Sequence, residues 1–122
     1  MPKIHTIIVN NETDITLARM RVRDLARRQG LNILDQARIS LATSSLAHLL
    51  QLGNVQQGEI TVKCLSHGTR TGLQVVCTTA NRARPRIEAM ALDDIRLLVD
   101  ELNTRAPSSG RLQITLIKWR AG

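Results

Sequence analysis

The side chains that could do nucleophilic or proton-transfer chemistry in this sequence are few, and their spacing gives them little to work with. His48 closes the run Ser44-Ser45-Leu46-Ala47-His48. A general base needs a group that orients it and a pocket that holds substrate, and no orienting partner is visible beside His48. Ser44 and Ser45 would be nucleophiles only with a base at hand, so they read as small residues that pack one helix on its neighbour. His5 and His67 stand alone in a strand and a loop and read as surface positions. Cys64 and Cys77 are the only cysteines. Two thiols without clustered histidines give no metal-ligand spacing, and they are too few for a disulfide framework. No catalytic residue and no metal ligand is assigned.

Charge is the stronger signal. The net charge is +7, and 14 of the 17 basic residues are arginine. Arg19, Arg23 and Arg27 recur every four residues along one flank of a helix, with Arg21 and Arg28 nearby. Arg82, Arg84 and Arg86 crowd a second segment around Pro85. A guanidinium grips a carboxylate or phosphate through two parallel hydrogen bonds, so both clusters are candidates for binding an acidic or phosphorylated partner. The plain alternative is a solvated basic face. Nucleic acid also attracts positive charge, but the chain has one Trp and no Phe or Tyr. That leaves no stacking platform for bases, and no helix-turn-helix or zinc spacing supports such a module.

The elements that must position these residues follow from periodicity. Lys3 to Val9 reads as a strand. Thr13 or Asp14 can cap a helix, whose apolar side is Ala18, Val22, Leu25 and Ala26 and which Gly30 is placed to end. Asn32 caps a second helix, with Asp35 three residues on; Ile39, Ala42, Leu46, Leu49 and Leu50 form its stripe, and Gly53 should end it. Glu59–Leu65 and Gly72–Thr79 alternate as a hairpin about a loop at Ser66 to Arg70. Its register sets Cys64 opposite Leu73 and Cys77 opposite Ile60, too far apart for a disulfide; both thiols are expected to be buried. Asp93–Asn103 reads as a third helix and Arg111–Trp119 as the last strand, with Leu112, Ile114 and Leu116 inward. The order β-α-α-β-β-α-β defines an α+β fold. We expect a two-layer sandwich with a mixed, mostly antiparallel sheet of about four strands, covered on one face by three helices. The chain of 122 residues fits one domain over 1–122. It has no apolar run of membrane-spanning length and no signal peptide, so a cytoplasmic setting is expected.

Several segments, in order, resemble the bacterial anti-sigma and partner-switching serine kinases, within the superfamily of histidine-kinase-like ATPases. They are Asp35-Gln36-Ala37-Arg38-Ile39, then Ala42 to Leu50, then Val99-Asp100-Glu101-Leu102, and finally Ile114 to Trp119 with its closing Lys-Trp. The resemblance implies the Bergerat-type ATPase fold and partners such as an antagonist protein of STAS type, a sigma factor or a PP2C-type phosphatase. It also marks where this sequence departs. The family's Glu-Leu-x-x-Asn box supplies a base and a magnesium ligand; Ser45 and Leu49 stand at those two positions. Its Asp-x-Gly-x-Gly box reads adenine; Thr79, Asn81 and Ala83 replace the Asp and the glycines. Its glycine-rich lid brings backbone amides to the phosphates, yet no glycine lies between Gly72 and Gly110, so the lid is shortened to the arginine-bearing link.

The expectation is therefore a degenerate member: a non-catalytic protein-binding regulator with no cofactor. ATP and magnesium would enter only if the chain were an active serine kinase phosphorylating an antagonist, which is the main alternative. A basic nucleic-acid-binding module is the other. Homodimerisation is left open.

Overall fold

The computed structural model describes residues 4–54, 56–80, 89–106 and 110–121. Eight elements follow in order: β1 (Ile4–Val9), α1 (Glu12–Arg28), α2 (Ile33–Leu49), β2 (Gly58–His67), β3 (Arg70–Thr79), α3 (Ala89–Arg96), β4 (Glu101–Arg105) and β5 (Gln113–Trp119). The strands form one sheet in the order β1-β2-β3-β5-β4, and every pairing is antiparallel. The helices α1 and α2 lie on one face, and α3 packs on α2.

The first helix starts earlier than the sequence suggests. Asn11, not Thr13 or Asp14, is the cap: its Oδ1 accepts the Asp14 amide at 3.1 Å. Asp14 in turn accepts the amide of Asn10, the residue before the cap, at 2.8 Å, so the two side chains together fix the entry of the chain into the helix. Gly30 ends the helix at φ 86, with amides of Gly30 and Leu31 bonded back to Arg27 and Ala26, the closure that favours glycine. Asn32 caps α2 through the Asp35 amide at 2.8 Å. The same closure ends α2, but Gln51 occupies the left-handed position at φ 57. Gly53 belongs to the next turn.

Ile15, Val22, Leu25, Ile39, Leu46 and Leu50 on the helices meet Ile60, Val62, Leu73, Val75, Ile114 and Leu116 on the strands, all essentially inaccessible. Packing is thus aliphatic throughout, and inward positions alternate with outward ones along each strand. The β2–β3 register sets Cys64 against Leu73 and Cys77 against Ile60. The turn needs only Gly68 and Thr69, with Gly68 at φ 62, so both strands run further into the expected loop. Cys77 is buried and Cys64 only half-buried, and neither forms a disulfide.

The largest departure is the segment after α3. A helix over Asp93–Asn103 was expected; the helix stops at Arg96, and Glu101–Arg105 is a fifth strand along β5. Leu98, Val99 and Leu102 fit a helical period, but Leu102 also faces inward from a strand, 6% exposed, opposite Leu116. Pairing with β5 satisfies a row of backbone groups that would otherwise be a bare edge, and that outweighs the weak helix preference of Asn103 and Thr104.

Candidate functional site

Three residues of α2 spaced four apart, Leu41, Ser45 and Leu49, line one side of a cleft. Ala91, Asp94, Ile95 and Leu98, from α3 and the turn after it, line the other. The cleft measures about 370 Å³. The two positions aligned with the kinases' Glu-Leu-x-x-Asn box therefore do share one cavity, but they bring a hydroxyl and an isobutyl group to it. Leu49 is half-buried at the open wall and not sealed in the core. Asp94, exposed at the rim, is the only carboxylate of the lining among the described residues. Among the described residues no group of three or more His, Cys, Asp or Glu could hold a metal ion.

Thr79 ends the helix-facing row of β3 and is fully buried. Its Oγ1 accepts the Leu112 amide at 3.0 Å, and its own amide donates to the Leu112 carbonyl at 3.0 Å. The hydroxyl oxygen thus bonds the residue just before β5. Asn81, Ala83, Arg82, Arg84 and Arg86 lie outside the described residues.

The arginines of α1 are elsewhere. Arg19, Arg23 and Arg27 are all exposed, and none lines the cleft. Asp24 already holds Arg27 at 2.7 Å and Arg28 at 3.1 Å. The hydrogen bond from Arg27, with the charges of Arg28 and Arg21, keeps its carboxyl below the usual carboxylate range. Arg19 and Arg23 have no ion-pair partner among the described residues.

His48 does have a partner, contrary to the expectation from local sequence. Its Nε2 lies 2.6 Å from Oε1 of Glu12, thirty-six residues away, where the end of α2 meets the start of α1. Both side chains are well exposed and neither lines the cleft. The pair has an orienting group but no pocket.

At the opposite end of α2 sits a polar cluster; its sequence pattern shows Asp35 only as part of the helix cap. Asp35, 5% exposed, faces Lys118 Nζ at 3.5 Å and Arg38 at 3.1 Å. Lys118, 13% exposed, also reaches Asp100 at 3.2 Å. Asp100 accepts the Trp119 amide at 2.7 Å, and Glu101 accepts the indole N–H at 2.9 Å. The Arg70 guanidinium lies 4.0 Å from the centre of the Trp119 ring. Three separate segments, Asp35–Ile39, Asp100-Glu101 and Lys118-Trp119, thus converge on one ion-pair network that ties the start of α2 to β5. Their pairing over such sequence distances leaves no local signal.

A single antiparallel sheet faced by helices, with a cleft between α2 and α3, is the architecture of the histidine-kinase-like ATPases. The comparisons agree. No protein-family model matches the sequence. The serine/threonine-protein kinase RsbT of Bacillus subtilis (strain 168) is 26% identical over 124 aligned residues, which cover 91% of this chain and 92% of that protein. The solved structure of the RsbU and RsbW domains of Rv1364c from Mycobacterium tuberculosis superimposes with a TM-score of 0.66 at 19% identity, covering all of this chain and 34% of that one. The chain is a homologue of the anti-sigma and partner-switching serine kinases and shares their fold. No helix among the described residues is long and apolar enough to cross a membrane.

Proposed function

We propose that this protein regulates a partner switch by binding another protein, without transferring phosphate. The observation that carries the reading is the chemistry of the cleft. Where the related kinases hold a base and a magnesium ligand, this chain presents Ser45 and Leu49. A hard cation takes oxygen ligands, and an isobutyl group has none to give. A serine hydroxyl holds its proton at neutral pH and cannot replace a carboxylate base. Thr79, at the adenine-reading position, has no carboxylate, and its hydroxyl oxygen already accepts the Leu112 amide just before β5. The donor set does not fit ATP and magnesium.

What the cleft does offer is apolar surface. Leu41 is 53% exposed at its rim, and Met90 and Leu97, on and just after α3, are more exposed still. Exposed apolar residues gathered about a groove mark a protein-binding site. The occupant fitting the family is an antagonist or a sigma factor, with Arg19 and Arg23 available for its acidic side chains.

An active kinase is the second reading, favoured by the likeness to RsbT. One experiment separates the two. The protein is mixed with its cognate antagonist, labelled ATP and magnesium, and both complex formation and phosphate transfer are followed. The proposal expects a complex that forms equally well without nucleotide, that Leu41→Asp weakens about tenfold or more, and that carries no label. Label on the antagonist overturns it.

A further inference from the structure

The two edges of the sheet, β1 and β4, are built differently. β4 is five residues long and carries Glu101 and Arg105 at its two ends. Shortness and charge are how an edge strand avoids pairing with another chain. β1 has the six residues Ile-His-Thr-Ile-Ile-Val. It contains no proline, lysine, arginine, aspartate or glutamate, and among the described residues it pairs only with β2. Every second residue of an antiparallel edge strand turns its amide and carbonyl away from its neighbour. β1 therefore presents a row of unpaired donors and acceptors about 20 Å long.

A groove runs beside this edge. Ile7 of β1 and Leu17, Met20, Arg21 and Asp24 of α1 line it, and it measures about 330 Å³. The four α1 residues follow one another at the spacing of a single helix stripe. Ile7 is only half-buried, and Leu17 and Met20 are 51% and 64% exposed, so the apolar part of the groove is open. Asp24 is already held by Arg27 and Arg28. Arg21 is exposed and has no ion-pair partner among the described residues. The charge left over in the groove is therefore positive.

We infer that an extended segment of a partner protein adds to the sheet along β1 and sets one apolar and one acidic side chain into this groove. Main-chain hydrogen bonds to the strand supply affinity, and alternate side chains supply the choice of partner. Heights along the two elements say which side chains these are. The chain turns back at Asn11. Counted from there at about 3.3 Å per strand residue and about 1.5 Å per helix residue, Ile7 lies level with Leu17 to Met20, and His5 with Arg21 to Asp24. The incoming residue opposite Ile7 is thus apolar. The one opposite His5, on the same side of the added strand, is acidic and meets Arg21, whose guanidinium can take a carboxylate through two bonds. In antiparallel pairing, the more stable kind, the segment reads apolar-x-acidic from its N-terminal end.

Another molecule's β1 does not meet this description. Laid along the edge it brings no carboxylate to Arg21, because Ile4–Val9 contains none. The groove is also separate from the cleft between α2 and α3, with which it shares no lining residue. Strand addition at β1 stands whether that cleft takes protein or nucleotide.

Selection of random ten-residue peptides, displayed on phage, against the whole chain tests this. The expected binders alternate polar and apolar residues and carry an acid two positions after an apolar one. Made as free peptides, they should bind the chain and slow amide hydrogen exchange at alternate residues of β1. Leu17→Asp and Arg21→Glu, both at exposed positions, should each weaken them about tenfold or more. Changing the acid of the peptide to lysine should cost as much against the parent and restore binding to Arg21→Glu; that exchange of charge also shows that the variant is folded. Leu41→Asp, in the cleft, should leave these peptides unaffected, which separates this contact from the one proposed there. A selection that yields no peptide dependent on both Leu17 and Arg21 overturns the inference. So do dependent peptides whose apolar residues fall at helical spacing, that lack the acid, or that protect no amide of β1.

Discussion

Replacing Asp35 with alanine should cost the fold about 2–3 kcal/mol. The magnitude follows from its surroundings. Asp35 is 5% exposed and faces Lys118, itself 13% exposed, at 3.5 Å. Removing one member of a buried pair typically costs about 3–5 kcal/mol, because the other charge is left uncompensated. Lys118 is not wholly abandoned, since Asp100 remains at 3.2 Å on its more open side, so roughly half of that cost applies. The carboxylate also sits in the first turn of α2, where it opposes the positive end of the helix for about 0.5 kcal/mol. Its contact with Arg38, whose side chain is 42% exposed, adds little. Asp100→Ala should cost a similar amount, because it also accepts the Trp119 amide. The decisive variant is the pair together. With both carboxylates gone, Lys118 is buried without a counter-charge, and the loss should exceed the sum of the single losses by about 1 kcal/mol or more. Lys118→Met in that background should return much of the stability. Urea unfolding followed by far-ultraviolet circular dichroism and by Trp119 fluorescence measures all four variants. The reasoning fails if Asp35→Ala costs under about 0.5 kcal/mol, or if the two losses simply add.

Two further outcomes follow from single positions. Burial pushes the Cys77 thiol from its ordinary 9.0 up to about 12, so the folded protein should resist alkylation at this site at pH 8 and yield only on unfolding. Because the folded value is the higher, its contribution is complete below pH 9 and is lost as pH rises from 9 to 12. Stability should fall by about 1.4 kcal/mol per pH unit there, a slope that Cys77→Ala should abolish. Gln51 holds a left-handed conformation at the end of α2 at a cost of about 1 kcal/mol. Gln51→Gly should therefore stabilise the fold by roughly 0.5–1 kcal/mol, visible as a raised melting temperature, whereas Gln51→Ala should give no gain; a neutral or destabilising Gln51→Gly would contradict the geometry.

The parts of this fold that could be read from the sequence are those with a local determinant. The β2–β3 register is legible because a two-residue turn at Gly68 fixes it and the alternation on both sides agrees. The second helix is legible because Asn32 and Asp35 sit at capping distance. The first helix start was blurred by the polar run Asn10 to Asp14, in which Asn10, Asn11, Thr13 and Asp14 can each cap; only the bond from the Asp14 amide to the Asn11 side chain distinguishes Asn11. β4 was hidden because Leu98, Val99 and Leu102 suit both periods, and only the open edge of β5 decides between them. The site divides in the same way. Ser45 and Leu49 could be placed together by their spacing on one helix. The partner of His48 and the counter-charges of Lys118 come from distant segments, and no spacing in the sequence points to them.

Calorimetric titration of the chain with ATP and magnesium bears most directly on the central claim that the cleft between α2 and α3 is built for protein contact and not for nucleotide. The account predicts no saturable heat up to about 1 mM ATP, weaker than about −4 kcal/mol of binding free energy. Magnesium-dependent binding in the micromolar range, abolished by substituting Ser45 or Asp94, would contradict it.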